Sequence, residues 1–448
     1  MSNQFSKKNW FILILFGIIG QIAWSVENMY FNLFVFETIS PNLDAITLMV
    51  QLSGITATVV TLFAGALSDK LGNRREFISI GYIIWGITVA LFGFIETKLF
   101  VETLNVDVVT GVTIALTVVI VGDCVMTVFG STANDAAFNA WVTDNTEEEY
   151  RGKVEGVLAV LPLFAMLVVA GGFGILVSFI GYKLLFLLLG IIISIAGIIG
   201  INTIKDSKLL KPSGSFKDIF YGFKPIVIKN NKPLYLTLLI VGVYGIACQI
   251  FMPFLIIYMK TYLGFSVIEY SLVFGLAIVL GAVINVILGA KTDKMDKTKV
   301  IYIANAIFVV GLMLMYLFHF ENKIATILTF GLGGFIMIVG FILISALTGA
   351  LVRDYTPSEH AGKLQGVRMI FSVLIPMIIG PMIGNAINKA MNIPLVDAGA
   401  DAMTTEYIPA PEIFLVASLV ALIIFVITPI LIKTVKKLKE VGVNEVKN

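Results

Sequence analysis

The chain has 448 residues, 58% of them hydrophobic and 13% charged, with a mean hydropathy of +0.97, which is more apolar surface than one soluble core can hide and excludes a soluble enzyme. At roughly 20 apolar residues per membrane-spanning helix there is material for about a dozen spans. The balance of 31 Lys+Arg against 29 Asp+Glu gives no reason to expect a nucleic-acid partner, and Cys124 and Cys248, both inside apolar runs, make no disulfide framework.

Span 1 is predicted over residues 10–36; it follows Lys7 and Lys8, and it is too long for a signal peptide and lacks a small-residue cleavage site. At about 100° per residue, Gln21, Trp24, Ser25, Asn28 and Asn32 fall on one stripe with Glu27 at its edge, about 25 Å along the helix. Span 2, over 43–67, offers Gln51, Ser53, Thr56, Thr58 and Thr61 and runs into the loop Gly65-Ala66-Leu67-Ser68-Asp69-Lys70-Leu71-Gly72-Asn73-Arg74-Arg75. Span 3 covers 77–95, and an external loop covers about 96–107. Span 4, over 108–140, places Asp123 near the midplane, about 23 Å down by the same helical rise, and Asp135 in the cytoplasmic third. Asp123, Thr127, Gly130, Asn134 and Trp141 share a face; Asp135 is about 120° away on a straight helix, and Gly130-Ser131-Thr132 is the place for a bend that returns it. Spans 5 and 6 follow over 153–180 and 182–202.

Residues 204–232 form a lysine-rich linker with Pro212, Gly214 and Pro225, dividing the chain into a bundle over 1–203 and a second over 233–448. The second bundle holds spans over 233–259, 268–290, 300–318, 324–351, 364–388 and 412–432. It answers the first with Tyr244, Gln249, Asn285 and Asn305 but has no acid of its own at depth. With both termini inside, 26 of the Lys and Arg residues fall on the cytoplasmic side and 5 outside, as the positive-inside rule asks.

The chain also repeats itself. Val142, Asp144, Thr146, Glu149, Gly152, Lys153 and Gly156 match Val352, Asp354, Thr356, Glu359, Gly362, Lys363 and Gly366, and the segment from Gly65 to Lys70 matches the one from Gly289 to Lys294. Two parallel six-helix repeats are the plan of a rocking transporter with a midplane site. The loop from Gly65 to Arg75 resembles the signature loop of the major facilitator superfamily, lying between spans 2 and 3 where that family has it. The resemblance implies an all-α membrane protein of twelve transmembrane helices. It also implies a cytoplasmic gating set of Gly65, Asp69, Gly72, Arg74, Arg75, Arg151, Asp293 and Arg368, with Glu148 and Glu155 beside it, latching the inner face.

Within that superfamily, the segment from Ala23 to Tyr30 resembles the Val-Glu-x-x-Tyr stretch of proton-coupled sucrose and glucose transporters. The polar fourth span is similar to that of glycoside-pentoside-hexuronide:cation symporters. The chain departs from the first pattern at Asn139, where that family has Arg, and from sodium-using members of the second by lacking paired Asp in span 2.

Carboxylates in hydrocarbon are costly, so Glu27, Asp123 and Asp135, with no Lys or Arg in the first six spans other than Lys153 and Lys183 at their ends, are expected to carry a proton or hold a cation and to couple transport. His319 and His360 fall in loops and supply no relay. Amides beside indoles suit a polyhydroxylated ligand, so the substrate set is Gln21, Trp24, Asn28, Asn32, Asn134, Asn139 and Trp141 with Tyr244, Gln249 and Asn285. Gly152-Lys153 and Gly362-Lys363 are followed by Val and Leu, so no P-loop and no primary pump is present. The expectation is a monomeric transporter of the plasma membrane with no cofactor or resident metal, moving a sugar or glycoside together with a proton or other cation; the rival is a proton-driven efflux antiporter for amphipathic compounds.

Overall fold

The computed structural model describes residues 6–147, 150–207, 216–292, 296–317, 320–357, 361–395 and 406–445. Among these, eleven helical stretches are long and apolar enough to cross a membrane: Lys7–Thr38, Leu43–Leu71, Arg75–Phe92, Val108–Asn145, Gly156–Thr203, Lys232–Thr261, Val267–Ile284, Lys297–Leu317, Lys323–Tyr355, Leu364–Met391 and Glu412–Leu438. The fifth, 48 residues long, is two spans: Gly181 sits at φ 73° and ψ 166°, where the helix breaks and restarts. That conformation favours glycine because it carries no Cβ. Spans 5 and 6 therefore meet at Gly181, and the count is twelve.

Caps set where several spans begin. The Ser6, Asn42, Asp107 and Asn322 side chains accept backbone N–H groups from the first turns of spans 1, 2, 4 and 10, using donors that a helix start leaves unpaired. Span 2 ends at Gly72, in the left-handed region at φ 61°; the Gly72 N–H reaches the Asp69 carbonyl and the Asn73 N–H the Ser68 carbonyl, a Schellman closure. The external loop after span 3 contains a short helix, Thr97–Leu104, laid against span 4.

The chain forms two compact units: residues 1–216 with 252–271 and 392–408, and residues 217–251 with 272–391 and 409–448. In the first, span 1 packs on spans 5 and 6, span 3 on span 6, and span 2 on span 4. Spans 3 and 6 meet backbone to backbone: a Cβ added to Gly86 would stand 2.3 Å from the Gly190 carbonyl oxygen, and one on Gly190 2.3 Å from that of Gly86. Small residues permit the approach on which membrane helices rely for cohesion. In the second unit span 7 packs on spans 11 and 12, and span 9 on span 12. These are the same pairings displaced by six spans, as a sequence repeat requires. Span 9 also lies close along span 10, with Gly311 and Gly340 giving the space.

Four spans are interrupted by π-helical segments: Glu27–Phe31 in span 1, Ser131–Phe138 in span 4, Val169–Phe173 in span 5 and Ile370–Leu374 in span 11. At Gly130-Ser131-Thr132, where a bend is expected, the structure has a π segment that starts at Ser131. A π turn takes in an additional residue and shifts the phase of everything after it.

Candidate functional site

The acids of the first unit are brought together by span 2. Glu27 (7% exposed) opens the π segment of span 1, and Asp123 (2% exposed) lies on the α-helical part of span 4. Between them stands Ser53 of span 2, whose hydroxyl donates to Glu27 Oε1 at 2.8 Å and lies 3.0 Å from the Thr127 hydroxyl. Thr127 in turn donates to Glu27 Oε1 at 3.2 Å. Ser53 also stands against the Asp123 carboxyl. One serine hydroxyl has one hydrogen, so it serves one of the two acids at a time. Glu27 Oε2 and Asp123 Oδ1 are buried without a partner, and among the described residues none of the ion pairs involves either acid.

Asp135 lies within the π segment of span 4 and accepts from the Ser131 hydroxyl at 3.1 Å. Trp24 is beside it, but the indole N–H is buried without completing a hydrogen bond. The Trp24 ring lies 5.0 Å from that of Trp85, whose N–H is likewise unpartnered, and both close over Gly130: a Cβ there would meet Trp85 at 2.8 Å and Trp24 at 3.0 Å.

The asparagines divide into two kinds. Asn28 and Asn32 donate to the carbonyls of Trp24 (2.8 Å) and Asn28 (3.1 Å), and Asn139 to that of Asp135 (3.1 Å), beside the π segments that disturb the helical ladder. Each spends its amide nitrogen on its own helix. Asn28 and Asn139 are exposed, Gln21 and Trp24 half-buried, and Asn32 is buried with its amide oxygen unpartnered. Asn134 is different: it donates to the Tyr82 hydroxyl at 2.6 Å, Tyr82 donates to the Phe16 carbonyl at 2.8 Å, and the pair fills the space over Gly20. Trp141, 1% exposed, donates to the Lys205 carbonyl at 2.9 Å and ties the end of span 4 to the chain beyond span 6. The structure therefore draws Glu27, Asp123 and Asp135, with Trp24, toward one region of the first unit, gives Asn134 and Trp141 to packing, and shows Asn28 and Asn32 bonded within span 1.

In the second unit the Tyr244 hydroxyl donates to the Phe341 carbonyl at 3.0 Å, Asn305 donates to the Ala421 carbonyl at 2.9 Å, and Gln249 is pressed on Gly380. The side chain of Asn285 lies outside the described residues.

The signature loop is an ordered node. Arg74, 3% exposed, pairs with Asp69 and with Asp144 (3.0 Å) and donates to the Ser68 hydroxyl. Burial opposes its charge, but the two carboxylates outweigh it and hold the guanidinium above its usual range. Asp206, after span 6, accepts the backbone N–H groups of Arg74 and Arg75 at 2.8 and 3.0 Å, and Arg75 donates to the Ile201 carbonyl at 2.9 Å. Gly65 has ordinary room beside Ala136. Asp293, Glu148 and the side chains of Arg151 and Glu155 lie outside the described residues, as do His319 and His360; Arg368 is exposed near the start of span 11. Ser68, Asp144 and Asp206 were not among the sequence candidates for this node. Asp144 gave a signal, since it matches Asp354 in the repeat, and Lys297 pairs with Asp354 at 2.8 Å one position before the counterpart of Arg74.

The family profile described as Major Facilitator Superfamily matches residues 11–381, and again 237–445. Among solved structures, the nucleoside transporter NupG is similar with a TM-score of 0.69 at 11% identity, covering 94% of this chain and 99% of its own. A bacterial homolog of the human lysosomal transporter Spinster, inward-facing and unoccupied, gives 0.64 at 14% identity over 96% and 98%. A bacterial metal transporter gives 0.59 at 13% over 96% and 99%. No curated protein matches the sequence. The profile spans most of the chain and the likeness in fold extends over nearly all of it, so the chain belongs to the Major Facilitator Superfamily and is a secondary transporter that sits in a lipid bilayer and binds a small-molecule substrate.

Proposed function

We propose that the transporter moves a sugar or glycoside together with a cation, a proton foremost, and that Glu27 and Asp123 carry the coupling. The observation that supports this reading is the single Ser53 hydroxyl set between two buried acids, each with an unpartnered oxygen. Glu27 also accepts from Thr127, so while Ser53 serves Glu27 it is Asp123 that needs a proton or a cation in place of the serine hydrogen, because an unserved carboxylate at that depth is costly. Occupation of the pair and occupation of the substrate site then bias the same alternating-access equilibrium.

Asp135, with Trp24, forms a third station on the same span. The polar atoms left over for substrate are those of Gln21, Asn28 and Asn32 beside the Trp24 ring, a combination that hydrogen-bonds hydroxyls and covers an apolar sugar face. Both termini and the linker lie in the cytoplasm of a plasma-membrane protein that works as a monomer.

The Trp24–Trp85 pair, with two free indole N–H groups, is the observation that favours the second reading, efflux of flat amphipathic compounds in exchange for protons. Proteoliposomes distinguish the two: labelled glycosides, nucleosides and lipophilic cations are offered under imposed proton or sodium gradients. Glycoside accumulation driven by an inward proton gradient is the expected result, and expulsion of lipophilic cations alone would replace it.

A further inference from the structure

The linker before span 7 carries apolar side chains that no hydrocarbon core accounts for. Residues Phe216–Phe223 form a 3₁₀ helix and Pro225–Asn230 a short α-helix, both outside the spans. In a 3₁₀ helix positions three apart eclipse, so Phe220 and Phe223 lie on one line, and Ile226 follows in the short α-helix beyond the extended residue Lys224. They are 65%, 41% and 60% exposed.

The opposite side of the same segment is fixed. Tyr235 donates to the Gly222 carbonyl, a Cβ on Gly222 would stand 2.4 Å from Val367, and Val227 is buried in a cluster with Leu234, Leu238, Val352, Leu364 and Val367. The outward row of Phe220, Phe223 and Ile226 is therefore held in place rather than free to fold back. Lys224, Lys229 and Lys232 are exposed alongside it, and residues 220–232 contain no acid.

We propose that this face is a docking surface for the inner leaflet, with Phe220, Phe223 and Ile226 entering the headgroup boundary and the three lysines binding anionic lipid headgroups. Apolar side chains flanked by lysines, on a segment that leads straight into span 7, have the chemistry of an interfacial anchor. The inference is independent of the substrate.

The test places Phe223→Trp in the full chain, reconstituted in vesicles of phosphatidylcholine with rising phosphatidylglycerol and with brominated acyl chains as quencher. The signal of the unsubstituted protein, which has four native tryptophans, is subtracted. Acyl-chain quenching of the added indole is expected to grow with phosphatidylglycerol. Lys229→Gln should raise the half-saturating fraction of that lipid by about fivefold, the factor that corresponds to one lysine at an anionic surface. Ile226→Trp gives the same readout where the first variant expresses poorly. Quenching by aqueous iodide in place of acyl chains, as a face kept for a soluble partner would show, overturns the proposal. So does acyl-chain quenching indifferent to both phosphatidylglycerol and Lys229.

Discussion

Ser53 donates to Glu27 at 2.8 Å while standing against Asp123, so a neutral residue of span 2 is the bridge between the acids of spans 1 and 4. Removing it should disturb both acids at once. Ser53→Ala is expected to cost about 1–3 kcal/mol of stability for the lost buried partner and to alter the coupling of transport to the proton gradient. Thermal unfolding and gradient-driven uptake are the two measurements, and unchanged coupling would detach Ser53 from the mechanism.

The acids themselves give a sharper test. Asp123→Asn and Glu27→Gln should each abolish accumulation against a gradient while leaving exchange or binding measurable, since an amide imitates one protonation state permanently. Normal accumulation by both variants from acid to mildly alkaline pH removes these residues from coupling.

Asn28 and Asn134 are predicted to behave oppositely. Asn28 is exposed on the polar stripe, so Asn28→Ala should raise the half-saturation concentration for a transported glycoside by about five- to 150-fold, the equivalent of about 1–3 kcal/mol. Asn134 is committed to Tyr82, so Asn134→Ala should instead lower the melting temperature and leave that concentration nearly unaltered. Uptake kinetics beside thermal unfolding separate the two.

At the signature loop, Arg74→Ala should cost about 2–3 kcal/mol, because a nearly buried guanidinium loses charge-assisted bonds to Asp69, Asp144 and Ser68. Asp69 is half exposed, so Asp69→Asn should cost no more than about 1 kcal/mol and should slow turnover with little change in substrate affinity. A large fall in affinity at normal turnover would contradict a gating role.

On the other side of the first unit, Glu37 accepts from Tyr182 at 2.9 Å and pairs with Lys260, holding residues 252–271 to the end of span 1. Glu37→Gln should speed amide hydrogen exchange over 252–271 by up to about fivefold, the equivalent of a partly exposed pair. Unaltered exchange would mean that the apolar contacts alone fix the segment.

The spans were legible because length and hydropathy alone mark them: the meeting of spans 5 and 6 at Gly181 falls where two apolar runs abut. The three acids were legible because charge in an apolar run is conspicuous. Their partners were not, since Ser53 is one of several hydroxyls on span 2, and which of them faces Glu27 depends on how spans 1, 2 and 4 pack. A polar stripe at 100° per residue requires an unbroken α-helix, and the π segments at Glu27–Phe31 and Ser131–Phe138 shift its phase. Polar character also did not distinguish Asn134 from Asn28, because a side chain bonded to a neighbouring helix and one open to a ligand have the same composition. Asp206 carries no signal in the sequence, because it caps a helix some 130 residues earlier in the chain.

The matching ion pairs, Arg74 with Asp144 and Lys297 with Asp354, speak to ancestry. A basic group after the second helix of each repeat, paired with an acid after the fourth, is most simply a fitting that existed before the gene segment was doubled. Glu27, Asp123 and Asp135 have no such twins: by the same alignment their counterparts are Phe251, Gly333 and Ser345. The scaffold is thus inherited in duplicate and the acids belong to one copy only, so grafting carboxyls at 251, 333 and 345 would ask whether the second half can take on the same role.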